Sequence, residues 1–133
     1  KKYKKIDYEI PINIAKEAKK LNINKYLIVS SAGADINARG FYLSLKGQLE
    51  NDIIKIGIKN TFIFRPSLLM GNRKEKRIGE KIAQVVMPLF SFLLPKKYRP
   101  INAESLAKSM INLSKTDINS HKIYHFEDII LSE

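Results

Sequence analysis

The sequence predicts an α/β fold, with helices wound on both faces of a parallel sheet. Helical and strand periodicities alternate along its 133 residues. The strand-like stretches 25–31 and 61–64 are short apolar runs of the kind that strands buried on both faces show. A third observation sets the extent. No Gly-x-Gly-x-x-Gly or Gly-x-x-x-x-Gly-Lys turn occurs, and the chain opens on a helix where a doubly wound domain opens on a strand. The expectation is one domain over residues 1–133, the C-terminal half of a doubly wound sheet whose nucleotide-binding strands are missing.

The elements follow in order. Residues 7–21 are predicted helical: Asp7 caps the start, Pro11 falls near the first turn, and Ile14, Ala15, Ala18 and Leu21 recur at helical spacing. Asn22 and Asn24 supply a turn before the strand 25–31. Residues 32–40 read as a loop, broken by Gly33, Asp35, Asn37 and Gly40. The helical period returns over 41–56, where Leu45, Leu49, Ile53 and Ile56 mark a buried stripe that Gly57 ends. Arg65-Pro66 stops the strand 61–64. Helices are predicted over 76–94 and 104–113, the second capped from Asn102, then a strand over 122–126 and a terminal apolar segment over 128–131.

Composition bounds the function. Hydrophobic content of 44% and charged content of 28% are globular values. The absence of cysteine removes disulfides, thiolate catalysis and Cys-based metal sites, and suits a reducing cytoplasm, which is the expected location. The longest apolar run, 85–94, falls far short of the roughly 20 residues that span a bilayer, and no signal peptide is read at the N-terminus. The net charge of +11 is spread over scattered lysines rather than one stripe, so a nucleic-acid surface is not the favoured reading. The densest basic cluster, 71–81, reads as a solvated loop and helix start rather than a phosphate contact. His121 and His125 have no carboxylate companion at ligand spacing, so no metal is expected. Residues 87–94 read as core.

The chemistry concentrates between Lys25 and Gly71. A strand ends in Ser30-Ser31, a loop follows, and a helix then carries Tyr42 and Lys46 four residues apart on one face. A phenol with a pKa of about 10 is a poor base, and an ammonium one turn away favours its phenolate. Such a tyrosine exchanges a proton with a carbonyl or hydroxyl, while a serine hydroxyl at the neighbouring strand end holds the substrate oxygen. Strand carboxyl ends are where doubly wound sheets bind ligands.

These segments, KYLIVSSAGAD, FYLSLKGQLE and FIFRPSLLMG, resemble the atypical short-chain dehydrogenases/reductases. The resemblance is to the group of the HIV Tat-interacting oxidoreductase-like protein, and Arg77–Glu80 and Tyr98–Ile101 extend it. It implies a Rossmann-like sheet, NAD or NADP as cofactor, and hydride transfer with a small carbonyl or alcohol. Tyr42 is then the acid/base, and Lys46 lowers its pKa and bonds the nicotinamide ribose. Ser31, or Ser30, orients the substrate, and Pro66, Ser67 and Leu68 line the nicotinamide end. The family's alternative is a catalytically weak NAD(P)H-binding regulator or interaction protein. An uncovered sheet edge further implies a preceding segment or a second copy of the chain.

Overall fold

The computed structural model describes residues 2–70 and 95–133. The basic cluster 71–81, the predicted helix 76–94, the 87–94 segment and the Arg77–Glu80 match lie outside the described residues.

The first helix starts earlier than predicted. A helical turn at Lys2–Lys4 and a π-helical turn at Lys5–Glu9 lead into α1 (Ile10–Lys20). Asp7 is therefore no cap; it lies inside the π-turn. The buried face is Ile12, Ala15 and Ala18, while Ile14 and Leu21 are 54% and 72% exposed. Two alanines on the inner face let the helix approach the sheet closely, and that spacing, rather than the one through Ile14 and Leu21, faces the core. Asn22 ends α1 at φ 57°, with its N–H donating to the Lys19 carbonyl and that of Ile23 to Ala18. This is a Schellman stop with asparagine in the left-handed position.

β1 (Lys25–Val29), β2 (Asn60–Phe64) and β5 (His121–Tyr124) form a parallel sheet in the order β1-β2-β5. Lys25 is paired with Asn60 and Thr61 with His121. Between β1 and β2 runs α2 (Phe41–Ile56), as predicted, closed by Gly57 at φ 70°. After β2 come β3 (Leu69–Met70), a 3₁₀ turn (Lys96–Tyr98) and β4 (Ile101–Asn102), with β3 and β4 paired in parallel. Sequence periodicity does not resolve two-residue strands. The predicted cap on α3 (Ala103–Ser114) is present: the Asn102 side-chain oxygen accepts from the Glu104 N–H at 2.9 Å. β5 stops before Phe126, because the Asp128 carboxylate accepts from the His125 N–H at 2.9 Å and starts α4 (Phe126–Leu131).

Strand alternation divides the core into two layers. On one face, Ile28 and Ile63 pack with Ile12, Ala15 and Ala18 of α1 and Leu49 and Ile53 of α2. On the other, Phe62, Phe64 and Tyr124 pack with Leu106 of α3 and Ile129 of α4. All five residues of β2 are buried. That is why its apolar part, Phe62–Phe64, runs without alternation, while the two polar residues at its start, Asn60 and Thr61, are buried with hydrogen bonds to carbonyls. The coarse prediction of mixed α/β architecture with a parallel sheet is met. At the amino edge of the sheet, Asn60 is 1% exposed; its side chain donates to the Asn24 carbonyl and accepts from Ile118 and Asn119 N–H. One amide thus locks the start of β2 to the turns preceding β1 and β5. Among the described residues no helix is long and apolar enough to cross a membrane.

Candidate functional site

The carboxyl ends of the strands carry the site. The ladder continues past β1, with Ser30 N–H donating to the Phe64 carbonyl at 2.7 Å and Ala32 N–H to Pro66 at 2.9 Å. Arg65 N–H donates to the Tyr124 carbonyl at 2.9 Å. Extending the alternation of β1 directs Ser30 to the α2 face, with Ile28, and Ser31 to the opposite face, with Val29. Ser30 is 6% exposed and its hydroxyl has no hydrogen-bond partner. The Ser31 hydroxyl makes only a long 3.4 Å contact to the Ala32 carbonyl.

The loop after β1 is fastened to α2. Gly33 adopts φ 80°. Asp35 N–H donates to the Leu43 carbonyl at 3.2 Å, and the Ser44 hydroxyl to Ile36 at 3.0 Å. Gly47 is where the loop backbone crosses the helix: a Cβ there would stand 2.3 Å from the Asp35 carbonyl carbon and the Ile36 nitrogen. Beside this crossing lies a polar cavity of about 330 Å³, lined among others by Asp35, Glu50, Asn51 and Arg65.

Tyr42 and Lys46 share one face of α2 as their spacing predicts, but their environments differ from the expected pair. Tyr42 is 41% exposed, with the Tyr3 ring edge-on at 6.3 Å. Its pKa is raised, by burial first and then by Asp7 and Tyr3. Lys46 is 5% exposed and donates to the Val29 carbonyl at 3.2 Å, at the end of β1. Burial lowers its pKa, opposed by the charges of Asp7 and Glu50. The expected depression of the phenol by the ammonium is not what governs Tyr42: desolvation and the Asp7 carboxylate favour the neutral phenol.

Pro66, Ser67 and Leu68 continue from β2 into β3. Pro66 is buried, the Ser67 hydroxyl donates to the Arg99 carbonyl at 2.6 Å, and the Leu68 carbonyl accepts from Ile101 N–H at 2.9 Å. Ser67 and Leu68 are thereby tied to the Tyr98–Ile101 segment and Pro66 to Ala32, while Tyr42, Lys46 and Ser30 gather on the α2 side.

Sequence reading missed three residues here. Asp7, taken for a cap, acts on both Tyr42 and Lys46. Glu50 and Arg65 form a buried ion pair between α2 and the end of β2, with Arg65 Nε at 3.0 and 3.2 Å from the two carboxylate oxygens. The signal for Glu50 was its place one turn beyond Lys46, beside a stripe otherwise apolar. No group of three or more His, Cys, Asp or Glu able to hold a metal occurs among the described residues. His121 lies in β5 and His125 at the start of α4, on different elements.

Burial shapes the alkaline behaviour. The pKa of Tyr8 is raised by its hydrogen bond to Asp52, and those of Tyr26, Tyr42 and Tyr124 chiefly by desolvation. Their neutral forms therefore stabilise the fold fully below their ordinary value of about 10, and that contribution is lost as pH rises through the folded values. Lys46, shifted the other way, gains with pH only up to its own ordinary value. The urea midpoint is expected to fall as pH rises above about 10; a flat profile there would contradict tyrosine burial.

No family model matches the sequence. Among curated proteins, the chain is 39% identical over 119 residues to "Protein FMP52, mitochondrial" of Candida albicans, covering 88% of this chain and 52% of that protein. The protein of the same name in Debaryomyces hansenii is 38% identical over 117 residues, covering 84% and 50%. "Protein FMP52-2, mitochondrial" of Scheffersomyces stipitis is 29% identical over 140 residues, covering 85% and 61%. The chain thus spans about half the length of the curated relatives it matches. These names correct three expectations. The relatives are FMP52 proteins, not Tat-interacting oxidoreductase-like proteins. None of these names carries an oxidoreductase activity, so the hydride-transfer reading of Tyr42, Lys46 and Ser31 is withdrawn, and nothing in them favours the regulatory alternative instead. The relatives are labelled mitochondrial, which overturns the cytoplasmic placement.

Proposed function

We propose that this chain is the C-terminal portion of a doubly wound, Rossmann-like domain that binds NAD or NADP, in a protein working at mitochondria. The observation that carries the reading is the buried Lys46 ammonium, held by the last carbonyl of β1 at the carboxyl edge of a parallel sheet. Burying a lysine costs several kcal/mol unless a structural or ligand-binding role offsets it. Here its return is one carbonyl bond and the attraction of Asp7 and Glu50, and the residue after that carbonyl, Ser30, has a hydroxyl with no partner. A ribose presents hydroxyls able to meet both. Helices on the two faces of the sheet put ligand-accessible loops at its carboxyl edge. The mitochondrial setting rests on the relatives' names. No reaction is assigned.

Titration of the longest natural protein containing this chain with NADH and NADPH, followed by nucleotide fluorescence, tests the reading. Binding is expected, and Lys46→Ala is expected to weaken it by about tenfold or more, the value of a charge-assisted hydrogen bond. Binding of neither nucleotide to folded protein would remove the proposal; binding indifferent to Lys46→Ala would move the cofactor elsewhere.

A further inference from the structure

Arg99 is a second cation at this edge whose setting the fold leaves unexplained. Its Nε is buried without a hydrogen-bond partner, and among the described residues no carboxylate pairs with its guanidinium. By contrast Arg65, the other arginine at the carboxyl edge, is fully engaged by Glu50. A buried, unsatisfied charged donor is costly and calls for an acceptor.

Three segments meet beside its backbone. Residues 31–33 touch 66–67 through the Ala32 N–H to Pro66 carbonyl bond. Ser67 reaches Arg99 through its hydroxyl, 2.6 Å from the Arg99 carbonyl. Tyr98 closes the circuit: its ring edge lies 3.9 Å from where a Cβ on Gly33 would stand. On the first of these segments the Ser31 hydroxyl, next to Ala32, also lacks a good acceptor, since its contact at 3.4 Å is well beyond a normal O–H···O bond.

We propose that Arg99 is an anion anchor, taking a phosphate or carboxylate group at the carboxyl edge of the sheet with the Ser31 hydroxyl as a second donor. A guanidinium fits a planar or tetrahedral oxyanion bidentately, and the net charge of +11 favours arrival of an anion. Ser67 fixes the backbone that presents the guanidinium. The inference goes beyond dinucleotide binding and does not require it.

The test uses the longest natural protein containing this chain at low ionic strength, with inorganic phosphate and acetate as probes. Phenylglyoxal labelling read by mass spectrometry is expected to modify Arg99, with phosphate slowing that modification saturably while exposed Arg39 is unprotected. Arg99→Gln is expected to lower phosphate affinity by about tenfold with the far-UV circular dichroism unchanged, and Arg99→Lys to lose less, keeping charge but not the fork. Protection of Arg39 and Arg99 alike, or no protection by either anion, would overturn the proposal. Should Arg99→Gln not fold, protection in the unaltered protein decides. Repeating the labelling with NADH separates the sources. Protection by NADH that excludes phosphate identifies the anion as the dinucleotide's own phosphate, and independent protection identifies a second, anionic ligand. Phosphate protection without any nucleotide binding would leave the anchor standing and remove the dinucleotide reading alone.

Discussion

Gly47→Ala is expected to destabilise the fold by about 3 kcal/mol, the upper end of the cost of overpacking. In an exposed helix interior the same change would stabilise by roughly 0.5–1 kcal/mol, so the sign itself is diagnostic. The difference arises because the added methyl would meet backbone, not a side chain that can turn away: both nearest atoms, at 2.3 Å, belong to the peptide between Asp35 and Ile36. Either the loop lifts or α2 shifts. Lifting the loop breaks the bonds from Asp35 N–H to the Leu43 carbonyl and from Ser44 to Ile36, which hold residues 34–36 against the start of the helix. Urea denaturation measures the loss, and limited proteolysis within 34–40 is expected to become faster. A stable, protease-resistant Gly47→Ala protein would mean that the loop does not cross α2 at this point.

Arg65→Met is the second large effect, expected to cost about 3–5 kcal/mol. Glu50 is 3% exposed, and Arg65 supplies both its charge partner and its hydrogen bonds. Removing the guanidinium leaves a buried carboxylate without its hydrogen bonds, with Lys46 as the remaining opposite charge acting on it. The double variant Glu50→Met with Arg65→Met is expected to recover most of the loss, because two well-packed apolar chains replace a buried ion pair at little cost. The double-mutant cycle in denaturant is the measurement. Equal stability of Arg65→Met and the unaltered protein would show that the pair is solvated in solution.

The layout was legible where a periodic pattern and a punctuating residue agreed. α2 was bounded by the loop ending at Gly40 and by Gly57, and the cap on α3 was carried by Asn102; both are realised. Where one signal stood alone, tertiary context decided. Asp7 looked like a cap but lies mid-helix, because the helix extends back to Lys2 and places Tyr3 against Tyr42. The Tyr42–Lys46 spacing was read correctly as one helical face, yet what that face does chemically depends on Asp7 and on burial, neither of which a spacing encodes. Arg65 looked like a strand terminator; its partner Glu50 lies across a fold contact that no local window contains.

The parallel pairing of the three main strands also bears on how the chain reaches this state. Among the described residues every strand pair joins positions distant in sequence, Lys25 with Asn60 and Thr61 with His121, so none of these pairings is a hairpin that forms early to guide the rest. Loop-closure entropy must be met before either pairing brings a return, which makes such topologies slow to form. The β1–α2–β2 unit has the shorter closure and its own apolar layer, so it is expected to assemble first. β5 then docks on a preformed edge. Until it arrives, the flank of β2 is an open template, and the rate of that last pairing sets how long the nascent chain is exposed to self-association.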